Sequence, residues 1–129
     1  MKTINVLCGI IFDSKKRLLI TRRGSGDFKG KWEFPGGKLE NNETEKECLI
    51  REINEELNIK VDIKSFFMKN THVYPTFKVK LISYICEFKS GNIDLIDHDK
   101  FEWIDISKLK DYDFLDGDLE IIDKILEIN

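Results

Sequence analysis

The chain reads GKLENNETEKECLIREINEELNI from Gly37 to Ile59, a glycine turn followed by an acidic segment with helical spacing. Residues three and four apart share one face of a helix, so Glu52, Glu55 and Glu56 project their carboxylates in one direction. Their mutual repulsion destabilises the helix unless a cation lies between them. Hard divalent cations such as Mg²⁺ prefer carboxylate and carbonyl oxygens, so the segment predicts an oxygen-ligated metal site.

The spacing of this segment resembles the Nudix box. Five residues separate the glycine from Glu43, and seven separate Glu43 from Arg51, which opens the run Arg-Glu-Ile-x-Glu-Glu-x-x-Ile. One position differs from the family's box: this sequence has Asn58 where the family has glycine. We expect Asn58 to close the helix in a left-handed conformation, which Asn tolerates best after glycine. A charge run is more often a solvated helix face, but the glycine turn, Glu43 and Arg51 at their gaps favour the metal site.

Composition is typical of a globular protein. The chain has 129 residues, 41% hydrophobic and 35% charged, and we expect one domain over residues 1–129 without an internal linker. The net charge of −3 argues against a nucleic-acid polymer as partner, because basic surfaces hold phosphate backbones. The three cysteines, Cys8, Cys48 and Cys86, lack zinc-ligand spacing and are expected to be buried thiols. The N-terminal apolar run is too short to span a membrane, so we expect no membrane partner and a cytoplasmic location.

Hydrophobic patterning predicts an α+β fold. Strands are predicted at residues 3–12, 18–21, 32–34, 61–68, 76–88 and 100–105, the first two forming a hairpin. Asn42 is predicted to cap the acidic helix, Ser107 a brief later helix, and residues 118–128 form a C-terminal helix. This order gives an α/β/α sandwich with a central mixed sheet, the box helix on one face and the C-terminal helix on the other. The Nudix resemblance implies the same fold.

The resemblance also implies which residues hold the metal. The ligands carried over from the family are the carbonyl of Gly37 and the side chains of Glu52, Glu55 and Glu56, with Mg²⁺ as the ion and Mn²⁺ as its alternative. Arg51 is interpreted as structural, because a guanidinium beside several carboxylates can hold them by bidentate pairing. Glu43 is its expected partner.

MutT-like members of the family also use an acid from a loop before a late strand, as a metal ligand or general base. Asp97 occupies that place six residues before Trp103, where the family usually has a glutamate. The aspartate is one methylene shorter, so Asp99 or a box glutamate is an alternative, and an ordinary loop acid is the other interpretation of Asp97. We expect His72 and His98 to be surface or loop residues.

Basic residues near the box predict where the phosphates of a substrate lie. Guanidinium forks suit phosphate oxygens, and the family often has a basic residue at the position of Arg23. Lys38, just inside the box, is the second expected phosphate contact. Arg22, at the end of the second strand, is a further candidate for a phosphate contact, and a solvated strand end is its alternative interpretation.

Resemblance to MutT-like proteins places the nucleotide base among Phe34, Tyr74 and Asp118. An ionised Asp118 only accepts hydrogen bonds, which suits the donor edge of cytosine or of an oxidised guanine. A helix N-cap is the alternative role for this aspartate, and core or loop packing is the alternative for the two aromatic residues.

The activity that the resemblance implies is Mg²⁺-dependent hydrolysis of (deoxy)nucleoside triphosphates to a nucleoside monophosphate and pyrophosphate. An oxidised substrate such as 8-oxo-dGTP is the first expectation, and CTP or a modified cytidine triphosphate is the second. ADP-ribose and dinucleoside polyphosphates are further alternatives, although the chain length disfavours ADP-ribose. A non-catalytic nucleotide-binding module on the same fold belongs to a different class, and the retained box acids argue against it. We expect a monomer or a homodimer.

Overall fold

The computed structural model describes residues 1–128, which form seven β-strands and two α-helices. The strands are β1 Lys2–Phe12, β2 Leu18–Arg23, β3 Trp32–Glu33, β4 Gly36–Lys38, β5 Lys60–Val73, β6 Phe77–Ser90 and β7 His98–Ile104. The helices are α1 Glu45–Leu57 and α2 Leu119–Ile128, with short 3-10 helices at Ile106–Asp111 and Asp116–Asp118. No helix within the described residues is long and apolar enough to cross a membrane.

Strand β1 is the centre of a mixed sheet. It runs parallel to β6 along its whole length, from Lys2 opposite Phe77 to Phe12 opposite Glu87. β5 pairs antiparallel with β6 at one edge, while β1 also pairs antiparallel with β4 and, at Phe12 opposite Leu18, with β2. β3 and β7 flank β2, both antiparallel. A parallel pair needs a long crossover, and the segment that connects β1 to β6 contains α1. The predicted mixed sheet is confirmed.

The sheet separates two apolar layers, because successive side chains of a strand point to opposite faces. On one face, Leu7 and Ile11 of β1 belong to a cluster with Leu49 and Ile53 of α1. On the other face, Ile10 of β1 belongs to the cluster that contains the buried isoleucines of α2. The predicted α/β/α sandwich is therefore confirmed. The three cysteines are buried free thiols, as predicted.

Helix α1 begins two residues later than the sequence suggested. The N-cap is Thr44, whose hydroxyl accepts from the backbone N–H of Glu47 at 3.1 Å, while the Glu47 carboxylate accepts from the Thr44 N–H at 2.8 Å. This reciprocal capping box satisfies two free N–H groups at once. The prediction that Asn42 caps the helix is wrong, because Asn42 lies in the preceding turn with a φ of 69°. At the other end Asn58 has a φ of 58°, so the expected left-handed cap is confirmed.

The C-terminal segment also differs in its caps. The 3-10 helix at Ile106–Asp111 is capped by Asp105, which accepts from the N–H of Ser107 at 2.9 Å, so the prediction that Ser107 is the cap is wrong. α2 begins at Leu119, directly after the short helix that contains Asp118. Its buried isoleucines hold this segment against the sheet.

Candidate active site

Arg51 is the hub of the acidic cluster on α1. Its Nε and Nη2 contact the two carboxylate oxygens of Glu43 at 3.0 and 2.7 Å. Its Nη1 contacts Glu52 at 2.9 Å and Glu55 at 3.2 Å. Hydrogen bonds from Arg51 and from the backbone N–H of Glu40 lower the pKa of Glu43 to about 2. One guanidinium thus fixes three carboxylates. It holds the carboxylate of Glu43 at both oxygens, a bidentate geometry that the ammonium of lysine cannot supply.

The first glycine of the box leaves room for a carboxylate. A β-carbon added at Gly37 would meet the carboxyl carbon and one oxygen of Glu52. The Glu52 side chain is 14% exposed, and burial raises its pKa although Arg51 opposes the shift. Glycine at this position lets the Glu52 carboxylate lie against the β4 backbone. The position of the carboxylate therefore depends on both Gly37 and Glu52.

Among the box glutamates, Glu56 has the most strongly raised pKa. Burial raises its pKa to about 7, His98 opposes the shift, and the charges of Glu33, Glu52 and Asp97 add to it. The acidic side chains of Glu33, Glu52, Glu56 and Asp97 therefore lie close enough to one another to interact. A carboxyl with a pKa near neutrality in a cleft is a marker of a functional site.

Glu55 does not share this environment. Its side chain is 58% exposed and contacts Arg51, and the cleft described below is lined by Glu52 and Glu56 but not by Glu55. The structure therefore brings two of the three predicted box ligands together and leaves the third at the outer edge of the cluster.

Within residues 1–128, no three His, Cys, Asp or Glu side chains surround a common point closely enough to hold a metal ion. The donor set nevertheless fits a hard divalent cation, because the donors at the cleft are carboxylate and carbonyl oxygens. The raised pKa values of Glu52 and Glu56 show that a compensating positive charge would be favourable there.

These acids line a cleft of about 700 Å³. Its acidic end lies at α1 and β4, and its other end reaches apolar residues of β1 and β6, including Val6, Val79 and Leu81. Nine of the site residues predicted from the sequence line it: Arg23, Phe34, Gly37, Lys38, Glu52, Glu56, Tyr74, Asp97 and Asp118. The volume is that of an ordinary small-molecule site.

Asp118 lies at the buried part of the cleft with 4% of its surface exposed. Its Oδ2 accepts a hydrogen bond from the backbone N–H of Phe34 at 3.2 Å. The carboxylate therefore binds the segment between β3 and β4 and does not cap α2. Burial, with the charge of Glu33, raises the pKa of Asp118 to about 8. Burial thus favours the protonated form of this carboxyl, which can donate as well as accept a hydrogen bond.

Aromatic side chains form one wall of the cleft. Tyr74 stacks on Phe77 with ring centroids 4.9 Å apart, and Phe28 lies 5.7 Å from Tyr74. His72 contacts the edge of Tyr74 at 4.6 Å and is half-buried in β5. Phe28 and Phe77 were missed by the sequence analysis, because one is in an irregular loop and the other begins a strand with no periodic feature to separate it from core residues.

The loop before β7 brings Asp97 into the cleft, whereas Asp99, within β7, lies outside it. Asp99 pairs bidentately with Arg22 at 2.8 and 3.0 Å, and neither residue lines the cleft. Asp97 lines it, and its backbone carbonyl accepts from the N–H of Gly24 at 3.1 Å. Geometry thus favours Asp97 over Asp99, and it accounts for Arg22 as the ion-pair partner of Asp99.

His98 and Glu33 are cleft residues that the sequence analysis did not select. The prediction that His98 is a surface or loop residue is wrong, since it begins β7 and its side chain is 3% exposed. Its Nε2 lies 2.9 Å from Glu33 Oε2, and Glu33 Oε1 lies 3.1 Å from Arg23 Nη2. Three separate strands supply these residues, so no local spacing in the sequence could have identified them.

The chain is similar to known proteins over nearly its whole length. A model of the NUDIX domain matches residues 1–125. The 8-oxo-dGTP diphosphatase of Escherichia coli (strain K12) is 30% identical over 126 residues, which cover 97% of this chain and 98% of the relative. The CTP pyrophosphohydrolase of the same organism is 26% identical over 128 residues, covering 99% and 95%.

Solved structures share the fold. The crystal structure of a MutT protein from Methanosarcina mazei Go1 has a TM-score of 0.88 at 23% identity, covering 99% of this chain and 96% of that chain. The solution structure of the E. coli ORF135 protein has a TM-score of 0.86 at 25% identity, covering 99% and 91%. With the box helix, the sandwich and the matched domain in agreement, the chain belongs to the Nudix hydrolase family.

Proposed function

We propose that the protein hydrolyses (deoxy)nucleoside triphosphates to a nucleoside monophosphate and pyrophosphate in a Mg²⁺-dependent reaction. The observation that carries this proposal is a single cleft with two different ends. The acidic end contains the carboxyl groups of Glu52 and Glu56, and the other end contains the buried Phe34 and Asp118. A polyphosphate with a bound cation suits the first end, and a planar base suits the second.

The metal would be held by Glu52, Glu56 and the carbonyl of Gly37, with Asp97 contributing from the loop before β7. Glu55, held at the edge by Arg51, is the remaining ligand predicted from the family. Mg²⁺ bound here would offset phosphate charge and ease deprotonation of water, and Mn²⁺ is the alternative ion. Nudix proteins typically depend on a divalent metal.

The chain's own residues have distinct tasks in this proposal. A carboxylate of the cleft accepts the proton of the attacking water, and Glu56 and Asp97 are the two candidates that line the cleft. Arg51 keeps Glu52 in place through a 2.9 Å contact. Arg23 and Lys38 face the phosphates from the cleft rim. Water attacks the β-phosphorus, and the bond to the oxygen that bridges the α- and β-phosphates breaks.

The base would lie between Phe34 and the aromatic wall that contains Tyr74. A neutral Asp118 presents a donor as well as an acceptor there, so it can pair with a base edge that offers a carbonyl beside an N–H group. Guanine and its oxidised form have such an edge. This geometry supports an oxidised purine triphosphate such as 8-oxo-dGTP as the preferred substrate, with clearance of damaged nucleotides as the role.

Relatives support two substrates in this order. The 30% identical E. coli relative is named as an 8-oxo-dGTP diphosphatase, and the 26% identical one, which matches 99% of this chain, is named as a CTP pyrophosphohydrolase. We therefore place CTP and modified cytidine triphosphates second.

The test is pyrophosphate release with Mg²⁺ on a panel of canonical, oxidised and methylated triphosphates, with ADP-ribose beside them. We expect turnover on triphosphates that Glu56→Gln reduces by about a hundredfold or more. Glu120→Gln, the same change at an exposed residue of α2, is the matched control and should retain wild-type turnover. Absence of metal-dependent turnover on every nucleotide would refute the proposal and would favour a binding module.

A further inference from the structure

Three polar side chains form a row across strands β7, β2 and β3. His98 Nε2 donates to Glu33 Oε2 over 2.9 Å, and the other oxygen of that carboxylate lies 3.1 Å from Arg23 Nη2. One carboxylate therefore holds an imidazole on one side and a guanidinium on the other. All three residues line the cleft.

A β-bulge explains why His98 points inward. Arg22 lies opposite Lys100 and Arg23 lies opposite His98, with the register shift between the two arginines. Asp99 is thus the extra residue, and a bulge redirects the side chains beside it. The Asp99 side chain points out of the cleft and pairs with Arg22 at 2.8 Å. The His98 side chain points the other way and contacts Glu33.

Burial decreases along the row. The His98 side chain is 3% exposed, that of Glu33 16% and that of Arg23 42%. The imidazole is therefore the fixed end, and the guanidinium is the end that reaches open cleft. A long side chain at a cleft rim loses rotamer freedom when it binds a ligand, and an anchor that orders it beforehand reduces that loss.

The hydrogen bonding of His98 is directed entirely at this row. Its Nδ1 is buried and has no hydrogen-bond partner among the described residues, so the imidazole makes its one protein hydrogen bond with Glu33. A histidine that merely tied two backbone segments together would contact a carbonyl or an N–H group. This one contacts a carboxylate that itself holds a cleft arginine.

We propose that His98 is a positioning residue for substrate binding, which orients Arg23 toward the nucleotide through Glu33. The inference rests on the proposed function, because it takes Arg23 as a substrate contact. His98 itself does not touch the reacting atoms. It fixes the Glu33 carboxylate, and the carboxylate fixes the guanidinium in the direction that the substrate needs.

Two substitutions of similar polarity separate this role from a packing role. The side-chain nitrogen of glutamine reaches the place of the histidine Nε2, whereas the asparagine amide reaches only the place of Nδ1. His98→Gln can therefore still donate to Glu33, and His98→Asn cannot. Both variants are neutral amides that leave a comparable polar group at the same buried position.

The readouts are kcat and KM for a hydrolysed triphosphate, and the affinity for a dGTP analogue with a methylene group between the α- and β-phosphates, measured in EDTA. In His98→Asn we expect KM and the dissociation constant of the analogue to rise about tenfold, the effect of one hydrogen bond to a charged group, while kcat changes less. In His98→Gln we expect most of the affinity to be retained. In a Glu33→Gln background, His98→Asn should add less than about twofold, because the two changes break the same connection.

Equal KM values in wild type, His98→Asn and His98→Gln would overturn the inference. So would a loss confined to kcat in both variants, since that places the effect at the neighbouring Asp97. Should His98→Asn fail to fold, the wild-type ¹⁵N NMR spectrum gives the test. We expect a slowly exchanging His98 Nε2–H resonance that shifts in Glu33→Gln, and its absence would count against the row. If wild type neither hydrolyses triphosphates nor binds the analogue, the proposed function fails instead.

Discussion

Asp118→Asn should make the protein more stable at neutral and alkaline pH. In the folded protein the pKa of Asp118 is raised to about 8 from the ordinary value of 3.8, chiefly by burial. Between these values the folded state holds a proton that the unfolded state has lost, so wild-type stability falls as pH rises. The slope from this group is about 1.4 kcal/mol per pH unit, which amounts to at most about 4 kcal/mol at pH 7. Below about pH 4 both states are protonated and the penalty disappears.

Asparagine keeps the contact without the charge. Its side-chain oxygen can accept from the Phe34 N–H, as the Asp118 carboxyl does at 3.2 Å, and its NH₂ group replaces the carboxyl proton as a donor. The assay is urea unfolding of wild type and Asp118→Asn at several pH values between about 4 and 9, with Asp116→Asn as the exposed control in the same turn. The difference in free energy of unfolding between Asp118→Asn and wild type should grow with pH up to about 8. A pH-independent difference would refute the reasoning, because it would mean that Asp118 is ionised in the folded protein.

The box itself yields three further predictions. Arg51→Lys should lower the free energy of unfolding by about 2 kcal/mol in urea melts, because an ammonium cannot contact Glu43 at two oxygens and Glu52 at once; unchanged stability would count against the hub. Gly37→Ala should reduce kcat about tenfold or more at nearly unchanged secondary structure by circular dichroism, since the new methyl group displaces the Glu52 carboxylate; wild-type kcat would contradict this. Asn58→Gly should raise the free energy of unfolding by about 0.5 kcal/mol and Asn58→Ala lower it by about 1 kcal/mol, because Asn58 has a φ of 58°. Equal stability of the two Asn58 variants would exclude strain at this cap.

The parts of the molecule that were predictable from the sequence are local. The helical period of Leu49 and Ile53 located α1, and box spacing placed Glu52 and Glu56 on its cleft side. The capping error was avoidable, because Thr44 followed three residues later by Glu47 is a capping-box pattern. Strand β4 was not predicted, since two glycines carry no strand pattern and the pairing with β1 is made by the backbone alone.

The parts that could not be predicted depend on residues far apart in the chain. Glu33 and His98 are 65 positions apart and meet at 2.9 Å because β3 and β7 both flank β2, and a bulge sets which side chain faces inward. The pKa of Asp118 depends on its burial and on charges from the other half of the chain, such as that of Glu33. The sequence around Asp118 contains no sign of either effect. Sequence spacing therefore predicted the acidic end of the cleft, while folding determined its charge balance and its buried end.

The most direct test of the central claim is Mn²⁺ binding measured by electron paramagnetic resonance in the presence of the methylene analogue of dGTP. We predict that wild type and the exposed control Glu120→Gln bind Mn²⁺, and that Glu52→Gln and Glu56→Gln bind it at least about tenfold more weakly, because both carboxylates face the cleft. Equal Mn²⁺ affinity in all four proteins would contradict the account, since the acids of α1 would then not be the metal site.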